Sequence, residues 1–152
     1  MDMFYFLDVD GVLNKESDWR KPFTVNTGCL QCFAKLIEYD ADPHIILSST
    51  WRVGYTNTGV RSERGNSLSQ ELENYGIVIE DCTPVSCKTR QEEIEYYIRR
   101  HNILEYVVLD DDESLFPFPK RLKLYITDYK TGLTEKDIKK IRKIGKKMKA
   151  GD

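Results

Sequence analysis

The stretch Phe4-Tyr5-Phe6-Leu7-Asp8-Val9-Asp10-Gly11-Val12-Leu13-Asn14 decides how the rest of the chain is read. An apolar run opens almost at the first residue. It is cut by two aspartates on alternate positions and then by glycine. Alternate residues of a strand share a face, so a strand continuing through Val9 would project Asp8 and Asp10 to the same side. Gly11 permits a sharp turn directly after them. Two carboxylates at the carboxyl end of a buried strand are costly unless positive charge compensates them. A hard divalent cation with oxygen ligands, such as Mg2+, is the usual compensation.

Outward from this stretch, the same pattern repeats. His44-Ile45-Ile46-Leu47 is short, continuous and apolar, as in a strand buried on both faces of a parallel sheet, and it runs into Ser48-Ser49-Thr50-Trp51-Arg52. Ile77-Val78-Ile79 reads as a third strand. Tyr106-Val107-Val108-Leu109 reads as a fourth and ends in Asp110-Asp111-Asp112. Leu122 to Ile126 alternates in polarity, as an edge strand does. Helical spacing of apolar residues places a first helix over about 28–39, with Thr27 as its N-cap. A second helix opens at Ser67-Leu68, after a loop holding Gly54, Gly59 and Gly65, and Gly76 stops it. Thr89 and Glu92 form a capping box for a third, over about 90–101. Thr134 and Asp137 precede a fourth, basic helix over about 135–148. Residues 11–26 read as a loop or small hairpin over the end of the first strand. Strand and helix alternate throughout, which predicts an α/β, Rossmann-like three-layer sandwich: a five-stranded, mainly parallel sheet with helices on both faces.

Sites in such sheets lie at the carboxyl ends of strands. Asp8 and Asp10 follow the first strand, and Asp110 and Asp111 follow the fourth, so four acidic oxygen donors converge on one edge. Mg2+ held by carboxylates keeps its other positions for water and substrate phosphate, which points to phosphoryl chemistry. Ser48 offers a hydroxyl and nearby backbone N–H groups to a phosphate oxygen, with Ser49 as the rival position. Lys88 and Arg90 stand at the start of the third helix, where an N-terminus already favours anions. Arg90, in the first turn, is preferred as the cation that offsets phosphoryl charge.

Length and composition bound the rest. A chain of 152 residues, 40% hydrophobic and 32% charged, describes one globular domain over 1–152. No apolar stretch approaches the roughly 20 residues of a membrane span, and the first residues do not read as a secretory signal, so a cytoplasmic location is expected. A formal net charge of -2 provides no global field for nucleic acid. Lys136, Lys139, Lys140, Arg142, Lys143, Lys146, Lys147 and Lys149 nevertheless crowd the C-terminal segment, as a solvated helix face or as a patch for a phosphate backbone. Cys29 and Cys32, and Cys82 and Cys87, lack the glycine or histidine that would complete a zinc site and read as free thiols.

Asp8-Val9-Asp10-Gly11-Val12-Leu13, Ser48-Ser49-Thr50-Trp51-Arg52, the helix-opening basic residue and Val107-Val108-Leu109-Asp110-Asp111 resemble the four motifs of the haloacid dehalogenase (HAD) superfamily, in the family's order and over nearly the whole chain. Leu47 to Arg52 and the late Thr131-Gly132-Leu133-Thr134 bring it closer to small HAD-type domains, some of them linked to RNA-repair systems. The resemblance implies an aspartyl-phosphate mechanism. Asp8 would attack phosphorus, and Asp10 would protonate the leaving oxygen and then activate water. Mg2+ would be held by Asp8, the main-chain carbonyl of Asp10, Asp110 and Asp111. Ser48 would bind the phosphoryl group and Arg90 would neutralise its charge. The presence of Asp10 implies a phosphatase or phosphotransferase, because dehalogenases of the superfamily lack that acid.

The segments after Gly11 and after Ser48 are too short for the cap domain of larger HAD phosphatases. Capless members often act on macromolecular ends. Trp19, Phe23, Trp51 and Arg52 are candidate rim residues, since aromatics beside cations suit nucleobases, although Trp51 equally suits the core. The expectation is a Mg2+-dependent phosphatase of phosphate monoesters, acting on a phosphorylated small molecule or a nucleotide or polynucleotide end, with no membrane and no stable protein partner implied. A non-catalytic module binding nucleic-acid ends and a phosphate-accepting receiver-type domain are the alternatives. Receivers order their acidic pair and acceptor differently and lack an Asp-x-Asp-Gly strand.

Overall fold

The computed structural model describes residues 2–21, 24–51, 63–85 and 88–146, with the side chains of 63–67 excepted. The apolar runs pair side by side as β1 (Asp2–Leu7), β2 (Asp42–Leu47), β3 (Ile79–Cys82), β4 (Tyr106–Asp110) and β5 (Leu124–Ile126). All pairings are parallel, and the order across the sheet is β3-β2-β1-β4-β5. β5 lies at an edge, as its alternating polarity predicts. The helices are α1 (Thr27–Ile37), α2 (Glu63–Glu73), α3 (Arg90–Arg100) and α4 (Glu135–Lys146). No helix among the described residues is long and apolar enough to cross a membrane.

The pleat sorts the strands into two cores. Tyr5, Leu7, Ile45, Leu47, Val107 and Leu109 face one side, where Leu30, Phe33 and Leu36 of α1, Leu68 and Leu72 of α2 and Ile141 of α4 cover them. Phe6, Ile46 and Val108 face the other, against Ile94 and Tyr97 of α3 and Phe116 from the β4–β5 connection. The chain builds β1-α1-β2-α2-β3 outward in one direction. It then crosses through α3 to β4 on the far side of β1. The order reverses between β1 and β4, and that switch point is where open α/β sheets carry their sites.

Several local expectations shift. The N-cap of α1 is Asn26, whose side-chain oxygen accepts the Cys29 N–H at 3.1 Å; Thr27 is already in the helix. β3 begins at Ile79 rather than Ile77. Ile77 is buried ahead of it and Val78 points to solvent. Pairing with β2 runs Ile45 to Ile79 and then Ile46 to Asp81, so Glu80 is bulged out. At this edge polar residues continue the strand without a burial penalty. Gly65 lies inside α2, not in the loop before it. Among the described residues of 11–26 there is no hairpin, only turns and one 3-10 turn at Glu16–Asp18. Thr89 caps α3 by accepting the Glu92 N–H at 3.1 Å. Thr134 and Asp137 meet before α4, with the Thr134 N–H and hydroxyl both donating to Asp137 Oδ2. Cys29 is buried and Cys32 half-buried, both as free thiols; Cys82 is half-buried at the end of β3, and Cys87 lies outside the described residues.

Candidate active site

β1 ends at Leu7, and Asp8 follows in register with the end of β4. Leu7 pairs with Leu109, and the Asp8 N–H donates to the Leu109 carbonyl at 3.0 Å. Residues at 8 and 110, far apart in the chain, thereby become neighbours. Because Leu7 and Leu109 point toward α1 and α4, the next residue on each strand points the other way, toward α3. Arg90 is the first residue of α3. Its guanidinium Nη1 lies 2.9 Å from Asp110 Oδ2 and 3.4 Å from Asp8 Oδ1. Lys88, the rival cation, is exposed.

Asp8 is 4% exposed and Asp110 fully buried. With Asp111 they place ligand oxygens within 4.8 Å of one another. Asp110 is held by donors on both oxygens: the Asp111 and Asp112 N–H groups reach Oδ1 at 2.8 and 3.0 Å, and Arg90 reaches Oδ2. Asp8 is poorly compensated. Burial and the Asp110 charge push its carboxyl well above the usual carboxylate range, against the pull of Arg90 and with a further push from Asp111. Asp111 is also raised, by burial first and then by the Asp110 charge, although the hydrogen bond to Asp8 pulls it down. Among the described residues three carboxylates face one guanidinium, so this group is short of positive charge. Three oxygen donors in a buried cluster suit a hard divalent ion such as Mg2+.

Gly11 makes the cluster sterically possible. Its φ is +83°, and a Cβ there would lie 2.2 Å from Asp111 Oδ2. The Asp111 carboxylate therefore rests over bare backbone, in the turn that the glycine was expected to allow.

Asp10 stands apart from this group. Its Oδ1 accepts from Asn14 Nδ2 at 3.0 Å and its Oδ2 from Trp51 Nε1 at 3.1 Å. Trp51 is 4% exposed and packed in the α1-side core, which takes it off the rim; its role is to hold Asp10 from within. Trp19 is 43% exposed beside the same loop. Arg52 and Phe23 lie outside the described residues. Ser48 and Ser49 are both buried at the end of β2. The Ser48 N–H donates to the Leu7 carbonyl, whereas Ser49 Oγ accepts the Trp51 N–H at 3.1 Å and so closes the local turn.

Sequence reasoning passed over Asn14. It is buried, its Oδ1 accepts from the Gly11 N–H and Trp19 Nε1, and its Nδ2 donates to Asp10 and to the Thr24 carbonyl. Only its position, four residues after Asp10 within the turn, hinted at this. It passed over Thr127 too, whose hydroxyl donates to the Gly11 carbonyl at 2.7 Å, and Thr83, whose buried Oγ1 has no hydrogen-bond partner among the described residues. Both directly follow strands on the site edge, which is the signal that could have found them.

α4 starts at the site edge and runs away from it. Leu133 donates its N–H to the Val12 carbonyl at the near end, and Gly145 accepts from Lys123 Nζ and touches Met3 at the far end. Lys136, Lys139, Lys140, Lys143 and Lys146 are exposed along it; Lys147 and Lys149 lie outside the described residues.

No curated protein and no solved structure matches the chain. One family does, described as the HAD domain in Swiss Army Knife RNA repair proteins, over residues 4–138. That span takes in the switch point between β1 and β4 and both acidic strand ends, and the chain accordingly belongs to this family of HAD domains.

Proposed function

We propose that this domain is a Mg2+-dependent phosphatase that hydrolyses phosphate monoesters through an aspartyl-phosphate intermediate, on a nucleotide or polynucleotide end. The observation that carries the reading is the split between the two aspartates of the first motif. Asp8 lies within the acidic group beside Arg90, whereas the Asp10 carboxylate lies outside it, held on each oxygen by a neutral donor. That split supports a division of labour in which one carboxylate meets the phosphoryl group and the other exchanges a proton beside it.

Asp8 and Asp110, with Asp111 and the main-chain oxygen of Asp10, would hold Mg2+, which supplies Lewis-acid stabilisation of charge on phosphoryl oxygens. An Asp8 oxygen bonds to phosphorus while the bond from phosphorus to the ester oxygen breaks, and Asp10 gives its proton to that leaving oxygen. Asp10 then takes a proton from water. The water oxygen attacks the phosphorus of the acyl phosphate and releases inorganic phosphate and the Asp8 carboxylate. Arg90 offsets the phosphoryl charge from the start of α3, and Ser48 binds a phosphoryl oxygen at the end of β2.

The test is phosphate release from a generic aryl phosphate with and without Mg2+, for the wild type and for Asp8→Asn. Loss of the nucleophile should lower the rate about a thousandfold or more. Asn keeps the shape and removes a poorly compensated charge, so the metal-free variant should be at least as stable as the wild type. An active Asp8→Asn protein would remove Asp8 from the attacking role. A wild type that binds phosphorylated oligonucleotides but turns nothing over would favour the binding-module reading.

A further inference from the structure

We propose that Trp19 and Tyr129 form a stacking platform for a nucleobase attached to the phosphate that enters the site. This rests on the reading of the Asp8 site as one for phosphate esters, and it names the part of the substrate that the acidic cluster does not touch.

The two rings come from different loops. Trp19 belongs to the segment after β1 and Tyr129 to the turn after β5. Their centroids are 6.0 Å apart and their planes differ by 24°, an offset stack. Both remain open to solvent, Trp19 at 43% and Tyr129 at 39%. A stacked aromatic pair left this exposed is an uncompleted stack, able to take a further flat ring.

The platform is held rigid. The indole edge of Trp19 donates to Asn14 Oδ1 at 2.8 Å, which fixes the ring plane, and the same Asn14 donates to Asp10. The Glu16 N–H donates to the Tyr129 carbonyl at 2.9 Å, Thr127 Oγ1 to the Gly11 carbonyl, and the Leu133 N–H to the Val12 carbonyl at 2.8 Å. The two loops are thus stitched at three points. Gly132, with φ +65°, lets the second pass so close to the first that a Cβ there would lie 2.7 Å from the Asn14 carbonyl. Pre-ordered rings lose little entropy on binding.

The pair is also tied to the reacting groups. From Trp19 the path to the Asp10 carboxylate is two hydrogen bonds through one buried side chain. Of the other exposed aromatics among the described residues, Tyr39 lies under Arg142 and Phe118 under Arg121. The ligand class follows from the chemistry. Stacking on a π-face accepts any base, because every base has one, but gives nothing to a sugar phosphate without a base. A mononucleotide and a phosphorylated oligonucleotide end share this chemistry.

The experiment compares kcat/KM for a nucleoside monophosphate, a phosphorylated oligonucleotide and ribose 5-phosphate in the full chain. Tyr129→Leu should lower the ratio of kcat/KM for either base-bearing ester to that for ribose 5-phosphate by about ten- to a hundredfold. Tyr129→Phe should restore the ratio, and the change should appear chiefly in KM. Trp19→Leu should act in the same direction, with an added effect on kcat through Asn14. Fluorescence provides a readout free of turnover. The chain has two tryptophans and only Trp19 is exposed, so a nucleoside monophosphate should quench the wild type and not Trp19→Phe. Whichever base-bearing probe quenches at the lower concentration identifies the source of the base. A ratio unmoved by Tyr129→Leu, or quenching retained in Trp19→Phe, overturns the platform. If no ester is hydrolysed at all, the phosphatase reading fails, and the quenching experiment still decides the platform alone.

Discussion

Gly11→Ala should unfold the logic of the acidic cluster. Position 11 has φ +83°, and an added Cβ would meet Asp111 at Oδ2 (2.2 Å), Cγ (2.4 Å) and Cβ (2.6 Å). The backbone cannot slide away, because the Gly11 N–H donates to Asn14 Oδ1 and its carbonyl accepts from Thr127. A left-handed conformation costs an alanine about 1–2 kcal/mol. Crowding against a packed neighbour adds about 1–3 kcal/mol. Asp111 can relieve the second cost only by turning out, which takes one oxygen from the group it forms with Asp8 and Asp110. Urea unfolding of the metal-free protein should therefore show a loss of about 2–5 kcal/mol, or about 1–2 kcal/mol where Asp111 turns away and only the dihedral cost remains. Added Mg2+, the ion proposed for this cluster, should stabilise the variant much less than the wild type, in which an ion at a hundred times its Kd would contribute about 2.7 kcal/mol. Asp111→Gly removes every atom in the clash. In the pair of single variants and the double, the clash should then appear as a coupling of about 1–3 kcal/mol, leaving only the dihedral cost in the double variant. Additive losses, or a Gly11→Ala protein with undiminished Mg2+ stabilisation, would refute the claim that this glycine exists to admit Asp111.

Other perturbations test other parts of the molecule. Arg142 of α4 donates to Tyr5 Oη at 3.1 Å and to both oxygens of the largely buried Asp40, whose carboxylate also accepts from Tyr5. Arg142→Met strands that carboxylate and should cost about 3 kcal/mol in chemical denaturation, against a negligible loss if the cluster is ornamental. At the opposite edge from the site, His44 stacks on Phe4 at 4.4 Å and lies between Glu80, Asp2 and Asp42. Burial pulls its pKa down, but the hydrogen bonds to Glu80 and Asp2 and the surrounding charges outweigh it and leave the folded value raised. A raised folded value means stabilisation that is full below the unfolded value of about 6.5 and lost as pH rises through the folded one. His44→Gln should therefore lose more stability at pH 5.5 than at pH 8.5, by about 0.5–1 kcal/mol at this partly exposed site. Parallel pH profiles for the two proteins would rule that out.

Much of the fold was legible in local chemistry. Four continuous apolar runs and one alternating run became the strands or their immediate neighbours, and the carboxylates after the first and fourth became the edge of the site. Thr89 and Asp137 took their expected places because capping is decided within a few residues. The misreadings arose where a longer-range partner settled the matter. Ile77 and Val78 look like strand residues, yet pairing with β2 begins at Ile79 and bulges Glu80 outward. Thr27 looks like a cap, yet Asn26, pinned by its N–H to the Leu13 carbonyl and by its amide to Asp18, makes the capping hydrogen bond.

The amino-acid order alone determined that an α/β sheet would carry acidic groups at its carboxyl edge, since burial and strand termination are written in short windows. Only the tertiary structure decided which of those groups meet. The reversal of strand order puts β4 beside β1, and the pleat turns Asp8 and Asp110 together toward α3, so Arg90 rather than Lys88 reaches them. It likewise drew Trp51 inward to hold Asp10, and set Trp19 against Tyr129 from loops far apart in the chain. A side chain's partners depend on which face it leaves and what covers that face, and both are properties of the assembled sheet.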